Sequence, residues 1–236
     1  MSPHADENAE LVAAAAKLGV TLTEVQAKKM LVLLDELARW AKTYNLTAIT
    51  DRREMITHHL LDSLAVQPWL AGERVADIGT GAGFPGLPLA IAEPQRRFTL
   101  LDSNGKKVRF VAHAARTLGL GNVEAVHARA ETHAPAAPYD TVVARAFAPL
   151  AELVQLVATS CGPLTRVIAM KGRRSAEERA GLPAGWRIEF DQDLAIPGLD
   201  AARHLVVLRR EESAATNPAS ATAATIAAAT GPGPLR

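Results

Sequence analysis

The chain has 236 residues, of which 48% are hydrophobic, 22% charged and 4% aromatic, which is typical of one globular core domain with appendages. Lys and Arg number 26 against 25 Asp and Glu, a net charge of +1, so a nucleic-acid surface would have to be a local patch. The single cysteine excludes a disulfide framework, a thiolate zinc cage and an iron–sulfur cluster.

The sequence also predicts where the protein acts. No apolar run approaches the roughly 20 residues that cross a bilayer, and the acidic start, residues 1–10, lacks the pattern of a secretion signal. We therefore expect a cytoplasmic protein with no membrane partner, and we expect a monomer. No grouping of His, Asp and Glu has a metal-ligand spacing, so no metal is predicted.

Residues 1–70 are predicted to form a helical extension that packs on the core. An alanine-rich amphipathic helix covers Ala9–Leu18. Thr21–Glu24 matches a capping box, which opens a longer helix with apolar residues near a period of 3.6. A second box, Asp51–Glu54, opens a helix that Pro68 stops.

Residues 71–210 show short apolar strands alternating with helices, which predicts an α/β domain whose parallel sheet has helices on both faces. The strands are expected at Arg74–Ile78, Arg97–Leu101, Val123–His127, Thr141–Arg145, Val167–Lys171, Trp186–Asp191 and His204–Arg209. The intervening helices are expected near 86–93, 105–118 and 149–159. The last two predicted strands are separated by only a short segment of sequence, which suits an antiparallel hairpin. Residues 211–236, rich in Ala, Thr and Pro, are predicted to be a disordered tail.

The most informative segment is Val75–Gly86, where a strand enters a glycine turn that leads into a helix. Glycine tolerates positive φ and lets a ligand approach the backbone. The spacing Gly81-x-Gly83-x-x-Gly86 matches a dinucleotide fingerprint, and Asp102 follows at the distance expected of a ribose-binding acid.

Other residues of the turn disfavour a dinucleotide. Pro85 and Pro88 remove N–H donors where a pyrophosphate would sit. Asp77 places an anion beside the loop, which favours a cationic ligand such as the sulfonium of S-adenosylmethionine. The pattern resembles motif I of Rossmann-like class I methyltransferases, which implies that Asp102 takes both ribose hydroxyls. A dinucleotide site and a tight turn without a ligand stay open as alternatives.

The side chains available for catalysis limit which methyl acceptors are possible. Methylation of pyrimidine C5 needs a cysteine, but Cys161 follows a predicted helix and is better explained as a small buried residue. Val143–Pro149 lacks the proline-rich motif of exocyclic amine methyltransferases. Arg145 at a strand tip suggests an acidic small molecule or a purine within a phosphate backbone. Guanine N7 would need no general base, because its lone pair is free at neutral pH.

A series of motifs follows in chain order: Tyr44–Thr47, His59–Ser63, Asp77–Gly86, Leu100–Ser103, Lys106–Phe110, Arg129–Glu131, Arg145–Phe147, Met170–Gly172 and Arg203–His204. Together, over roughly residues 31–209, they resemble the RsmG family, also called glucose-inhibited division protein B. The resemblance implies a Rossmann-like class I S-adenosylmethionine-dependent methyltransferase with a mostly parallel seven-stranded sheet. It also implies methylation of guanine N7 in bacterial 16S ribosomal RNA, with that RNA, the small ribosomal subunit or its precursor as partner.

The resemblance assigns cofactor contacts by position to Gly79, Phe84, Ala130, Glu131 and Arg145. The glycine turn and the following strand add Asp77, Gly81, Gly83, Asp102 and Ser103. The expected roles are approach of the methionine moiety at Gly79, an apolar flank at Phe84 and the adenine end at Glu131. Phe84 and Ala130 stand where many family members have Leu and Val.

Arg145 and Lys171 are the catalytic candidates, because the ends of adjacent strands face the ligand crevice of such sheets. There they would orient the guanine and neutralise flanking phosphates, with no general base. The candidates for RNA contact are Asn45, His59, Arg145, Lys171, Arg173, Arg174 and Arg203, with Lys106, Lys107 and Arg109 as contacts to the RNA backbone. Simpler explanations stay open: a solvated helix face at 106–109, a solvated loop at 173–174, and a structural hydrogen bond from His58 or His59 to Asp62.

Two other functions stay open. A small-molecule methyltransferase of the same fold would have a lid over a small pocket, whereas an RNA methyltransferase would have a cationic rim around an open crevice. A non-catalytic ribosome-assembly or RNA-binding factor would have weak or no affinity for the cofactor.

Overall fold

The computed structural model describes residues 5–145, 148–172 and 175–211. Several expectations fall outside these residues: the end of the Arg145–Phe147 motif, the RNA contacts predicted for Arg173 and Arg174, and the disordered tail from residue 212 onward.

The chain begins with a series of helices. Their bounds are α1 (Ala5–Lys17), α2 (Glu24–Tyr44), α3 (Arg52–Met55), a π-helical turn (Ile56–Leu61), α4 (Asp62–Leu64) and a 3-10 turn (Gln67–Trp69). The first helix starts four residues before the predicted Ala9. Both long helices were predicted, because their apolar periodicity is a local signal.

The capping box of α2 was predicted at the wrong residues. The N-cap is Thr23, whose hydroxyl accepts from the Gln26 N–H at 3.2 Å, while Gln26 Oε1 accepts from the Thr23 N–H at 2.9 Å. Two physical effects select Thr23 over Thr21. Leu22, just before the cap, is buried, and the Gln26 amide also donates to the carbonyl of Ile91 at 3.0 Å. Tertiary contacts therefore decide between two locally equivalent patterns.

The helix that opens at Asp51 is also different from the prediction. Asp51 is the N-cap as expected, and its carboxylate accepts from the Glu54 N–H at 2.9 Å. The helix does not continue uniformly to Pro68, because Ile56–Leu61 forms a π-helical turn. Such turns are uncommon and occur frequently at functional sites. This one includes His58 and His59 and changes the direction in which the following side chains face.

Within the described residues, the sheet has seven strands in the order β3-β2-β1-β4-β5-β7-β6. The strands are β1 (Arg74–Ile78), β2 (Arg97–Asp102), β3 (Val123–His127), β4 (Tyr139–Arg145), β5 (Cys161–Lys171), β6 (Trp186–Leu194) and β7 (Arg203–Arg210). The first five pair in parallel, and β7 is antiparallel to both β5 and β6. The predicted parallel sheet and terminal hairpin are confirmed, although β5 begins six residues earlier than expected.

Helices cover both faces of the sheet, as predicted. They are α5 (Gly86–Ala92), α6 (Gly105–Thr117), α7 (Leu150–Leu156) and α8 (Ala176–Ala180). One apolar cluster joins α1, α2, α5 and α6 to one face of the sheet, and a second joins α7 to the other. Phe98 and Phe110 are fully buried in the first cluster, and each contributes roughly 1.5–3 kcal/mol by burial. The Trp40 ring lies 5.6 Å from that of Phe110, so α2 packs directly on α6.

Residues 5–145, 148–172 and 175–211 contain neither a membrane-spanning helix nor a cluster of metal ligands. Within them, no helix combines the length and the apolar character of a bilayer-spanning segment. The same ranges contain no grouping of three or more His, Cys, Asp and Glu side chains arranged to hold a metal ion.

Candidate active site

A cavity of about 880 Å³ lies at the carboxyl ends of the central strands. β1 is flanked by β2 and β4, whose chain connections leave in opposite directions, and ligands bind at such switch points. The volume lies near the upper end of the roughly 300–1,000 Å³ of ligand pockets, which leaves room for more than one bound group. The predicted residues on its wall are His59, Gly79, Gly81, Phe84, Asp102, Ser103, Ala130, Glu131, Arg145, Lys171 and Arg203.

Other predicted site residues lie outside the cavity wall: Asn45, Asp77, Gly83, Lys106 and Arg109. Asn45 is the exposed C-cap of α2, in the left-handed region at φ 49°. Gly83 serves packing, because a Cβ there would overlap the side chain of Leu87. Lys106 and Arg109 are exposed on α6.

Asp77 holds the glycine turn from the side that faces away from the cavity. Its carboxylate is 1% exposed, and Oδ2 accepts from the Thr80 hydroxyl at 2.6 Å and from the Gly86 N–H at 2.8 Å. Burial raises the pKa of Asp77 to about 6, although these two hydrogen bonds act in the opposite direction. Thr80 was missed from sequence, and the Asp-x-x-Thr spacing is the signal that could have identified it. Asp77 therefore shapes the site without facing the cavity.

Gly81 presents bare backbone to the cavity. Its φ is +61°, and a Cβ added to it would meet no protein atom within 4 Å. Gly79 before it also has positive φ, at 68°. The open space beside Gly81 is therefore a cradle that a side chain would fill, which fits the close approach of a ligand to the backbone.

Asp102 is held in a fixed orientation beside this cradle. Its Oδ2 accepts from the Gly81 N–H at 2.9 Å, and its Oδ1 accepts from the Asn104 N–H at 2.8 Å. Each oxygen of an ionised carboxylate keeps further acceptor capacity. A pair of vicinal hydroxyls, such as those of a ribose, fits this arrangement.

A buried carboxylate, Asp62, joins two arginines on the wall of the cavity. Asp62 is 2% exposed. Its Oδ2 lies 3.4 Å from Arg145 Nη1, and its Oδ1 accepts from Arg203 Nε at 2.8 Å. Arg145 also donates to the carbonyl of His58 at 3.1 Å, and its guanidinium lies 5.8 Å from the centre of the Phe84 ring. Asp62 was considered from sequence only as a partner of the histidines, so its role with the arginines was missed.

His59 is buried and faces Phe84. The two rings stack at 4.7 Å, and His59 Nε2 is 3.0 Å from the hydroxyl of Thr47. Burial lowers the pKa of His59 to about 4, with smaller contributions from the charges of Arg145 and His58. The suggested hydrogen bond from His58 or His59 to Asp62 is wrong, because the π-helical turn directs His59 to Thr47 and leaves Asp62 to the arginines. His59 is therefore neutral at pH 7.

Lys171 ends β5 next to the end of β4, as predicted for adjacent strands. Its ammonium donates to the carbonyl of Ala148 at 2.5 Å and pairs with Glu178 of α8 at 2.9 Å. The α8 helix was not predicted. The charge of Lys171 on the cavity wall is therefore balanced by a partner that the sequence pattern did not indicate.

Cys161 lies far from the cavity. It is the first residue of β5, at the opposite end of that strand from Lys171. Burial raises the pKa of its thiol to about 12. A thiolate nucleophile in the cavity is therefore not available from this residue, in agreement with the sequence-based interpretation.

Several other residues on the cavity wall were not assigned from sequence. Leu46, Thr47 and Ile49 follow α2, and they surround one side of the cavity. Arg129 adds positive charge to its rim, as does Lys107, which was a sequence-based candidate for contact with the RNA backbone. Part of this group lies in the motifs Tyr44–Thr47 and Arg129–Glu131, which marked the segments but not the individual contacts.

The sequence matches known proteins along most of its length. The family model GidB, rRNA small subunit methyltransferase G, matches residues 26–206. A ribosomal RNA small subunit methyltransferase G of Pseudomonas aeruginosa (strain LESB58) is 46% identical over 208 residues, covering 88% of this chain and 96% of the relative. That of Xanthomonas campestris pv. campestris (strain 8004) is 50% identical over 185 residues, covering 78% and 87%.

Solved structures with lower identity share the fold. The B. subtilis m1A22 tRNA methyltransferase TrmK aligns with a TM-score of 0.54 at 12% identity, over 64% of this chain and 66% of that one. A protein studied for the conversion of a disulfide bond into a thioacetal group during echinomycin biosynthesis aligns with a TM-score of 0.53 at 22% identity, over 63% and 81%. The predicted Rossmann-like fold is confirmed. The chain belongs to the family of rRNA small subunit methyltransferase G, and its cofactor is S-adenosylmethionine.

Proposed function

We propose that this protein transfers a methyl group from S-adenosylmethionine to N7 of a guanine in 16S ribosomal RNA. The main support is the position of Arg145 and Lys171, which end adjacent strands on the wall of the cavity that also contains Gly81 and Asp102. The relatives' names, which specify RNA of the small ribosomal subunit, support the substrate class. In this proposal the protein acts as a cytoplasmic monomer on 16S RNA, the small subunit or its precursor.

The cradle at the glycine turn would hold the cofactor. Asp102 would accept hydrogen bonds from the ribose hydroxyls, and the bare backbone at Gly79 and Gly81 would admit the methionine moiety. Ala130 and Glu131 lie on the cavity wall just beyond β3, where they would flank the adenine end. The bound cofactor supplies an electrophilic methyl group on a sulfonium.

The acceptor in this proposal needs no deprotonation. Guanine N7 has an in-plane lone pair at neutral pH, so transfer depends on alignment and on exclusion of water. Two groups that could otherwise serve as a general base are already engaged. His59 has a pKa lowered to about 4 and is within hydrogen-bonding distance of Thr47, while the oxygens of Asp62 contact two arginines. The site is therefore better suited to positioning a nucleobase than to removing a proton from it.

Arg145 and Lys171 would provide that positioning. Guanine presents O6 as an acceptor beside N7, and a guanidinium held by Asp62 has a fixed direction from which to donate to O6. Lys171 would exchange the carboxylate of Glu178 for a backbone phosphate, since both are anions that bind an ammonium. Arg203, on the second oxygen of Asp62, would contact a neighbouring phosphate.

The deciding experiment is methyl transfer from tritiated S-adenosylmethionine to small subunits from a strain that lacks the enzyme. We expect label in a single guanine of 16S RNA, and cleavage by aniline after borohydride reduction, which is diagnostic of N7 methylation. Large ribosomal subunits are the control and should stay unlabelled. Label on another base, or at another atom of guanine, would overturn the proposal.

A further inference from the structure

The outer face of α6 has an unusual charge composition. The whole chain is balanced, with 26 basic and 25 acidic residues, but α6 contains Lys106, Lys107, Arg109 and Arg116 and no Asp or Glu. Lys106, Arg109 and Arg116 are exposed. Their side chains have no ion-pair partner among the residues that the structure describes. A solvated helix normally mixes both signs of charge, so this one requires another explanation.

The three exposed cations form a line. Residues 106, 109 and 116 lie on one side of an α-helix, and they span roughly 15 Å along its axis. The line starts beside the active-site cavity, because Ser103 and Lys107 are on that cavity's wall. It ends at Gly119, where the chain turns at the opposite end of the sheet.

A second cavity, of about 540 Å³, lies where this line ends. Its wall includes Lys29 of α2, Arg97 at the start of β2 and the turn 119–122. No acidic residue lines it in the described part of the chain, and neither Lys29 nor Arg97 has an ion-pair partner there. The cation next to them, Arg96, pairs with Glu93 at 3.0 Å.

Nearby acidic side chains do not cancel these charges. Glu36 of α2 is buried, and its two oxygens contact His113 at 2.8 Å and Arg39 at 3.0 Å. Glu124 of β3 lies on the other face of the sheet, because its neighbours Val123 and Ala125 pack toward α6. The side chain of Arg97 is on that other face as well, because its neighbour Phe98 packs toward α6. Among the described residues, no acidic side chain therefore offsets the positive charge of α6 between the active-site cavity and the second cavity.

We propose that Lys106, Arg109, Arg116 and Lys29, here called the α6 track, bind the phosphate backbone of the RNA substrate. The proposal rests on the proposed function and extends it to the far end of the sheet. A length of roughly 15 Å is enough to contact several consecutive phosphates of one strand. An acidic protein partner is the less suitable occupant, because protein interfaces are built around apolar and aromatic anchors and the α6 track consists of charged side chains.

The test measures binding to naked 16S RNA as a function of salt, with K29Q/R109Q/R116Q as the variant. Each lost phosphate contact should reduce the slope of log affinity against log salt by about 0.7. We expect the slope of the triple variant to be smaller than that of wild type by about 2, and its affinity at low salt to be at least tenfold lower. For R116Q alone, we expect the slope to be smaller by about 0.7. R187Q, at an exposed position of the distant edge strand β6, is the matched control and should behave as wild type. Unchanged cofactor affinity in all variants would show that the fold is intact.

The outcomes separate the α6 track from the proposed function. A triple variant with the wild-type slope and affinity would overturn the α6 track, and guanine methylation by the wild type would still stand. A variant that binds naked RNA normally but loses affinity for whole subunits would overturn the RNA assignment in favour of an acidic ribosomal protein. A wild-type protein that does not bind 16S RNA would overturn both proposals.

Discussion

The N–H of Gly81 donates a hydrogen bond to the carboxylate of Asp102, with 2.9 Å between the nitrogen and Oδ2. This bond links the turn after β1 to the end of β2, which are the two segments that hold the cofactor in the proposed function. Gly81 has positive φ, and Asp102 is held by a second N–H, from Asn104, so the protein itself fixes the orientation of both groups. Preorganisation of this kind lowers the entropic cost of binding.

We expect Gly81→Ala to reduce cofactor affinity at least tenfold in titration calorimetry. The added methyl group would occupy the open cradle where no protein atom lies within 4 Å, and the left-handed backbone would cost about 1 kcal/mol of stability. Gly119→Ala is the matched control, since its φ is +63° and its Cβ would also meet no atom within 4 Å. It should show the same loss of stability with wild-type cofactor affinity. Equal affinity in both variants would contradict the placement of the cofactor.

Asp102→Ala should weaken cofactor binding by about 1–3 kcal/mol, which is the usual range for a lost hydrogen bond to a charged group. The control is Asp140→Ala, because Asp140 accepts from the N–H groups of Glu73 and Arg74, both at 2.8 Å, at the other end of the sheet. Both variants lose the acceptor of two backbone donors and should be destabilised to a similar extent. Calorimetry on both proteins decides the point. Wild-type affinity in Asp102→Ala would mean that another residue holds the ribose.

Lys171→Ala should slow methyl transfer to RNA by roughly 10–100-fold, corresponding to the loss of one charged hydrogen bond. Cofactor affinity should stay within twofold of wild type, because Lys171 is proposed to contact only the RNA. Glu178→Gln is the informative companion, since it removes the partner that lies 2.9 Å from the ammonium while keeping Lys171. Its transfer rate should equal or exceed that of wild type. Normal transfer by Lys171→Ala would show that this lysine has a structural role.

The buried ring of His59 should make folding stability depend on pH. Its pKa falls from the ordinary 6.5 to about 4 in the folded protein. Between these values only the unfolded chain binds the proton, so the stabilisation is present above pH 6.5 and is lost as the pH falls toward 4. The slope is at most about 1.4 kcal/mol per pH unit.

The measurement for His59 is chemical unfolding of wild type and His59→Gln at pH 7.0 and pH 5.0. The stability difference should move in favour of the variant by about 1–2 kcal/mol on acidification. The comparison is needed because Asp77, with its pKa raised from 3.8 to about 6, stabilises the fold below pH 3.8 and loses that contribution as the pH rises through 6. His58→Gln, in the same turn, is the control. A pH-independent difference for His59→Gln would contradict the assignment.

The sequence predicted the main elements of the sheet and the glycine turn because those signals are local. The predicted strands Arg74–Ile78 and Val123–His127 coincide with the observed ones. The first is central and buried over most of its length, whereas the second is an edge strand with exposed residues, and both have a short apolar pattern bounded by turn residues. Gly79 and Gly81 were also identifiable from sequence, because a turn with positive φ strongly favours glycine. Their distance from Asp102 along the chain then indicated the acid that follows the next strand.

Only the tertiary structure decided how the side chains of the site are paired. Asp62 contacts Arg145 and Arg203, which lie 83 and 141 residues away along the chain, and no spacing rule predicts such pairs. Glu178 pairs with Lys171 through a short helix that has no apolar periodicity. The choice of Thr23 over Thr21 as N-cap depended on the contact of Gln26 with Ile91. Local patterns fix the elements because they depend on near neighbours, whereas charge pairing depends on the register in which distant elements meet.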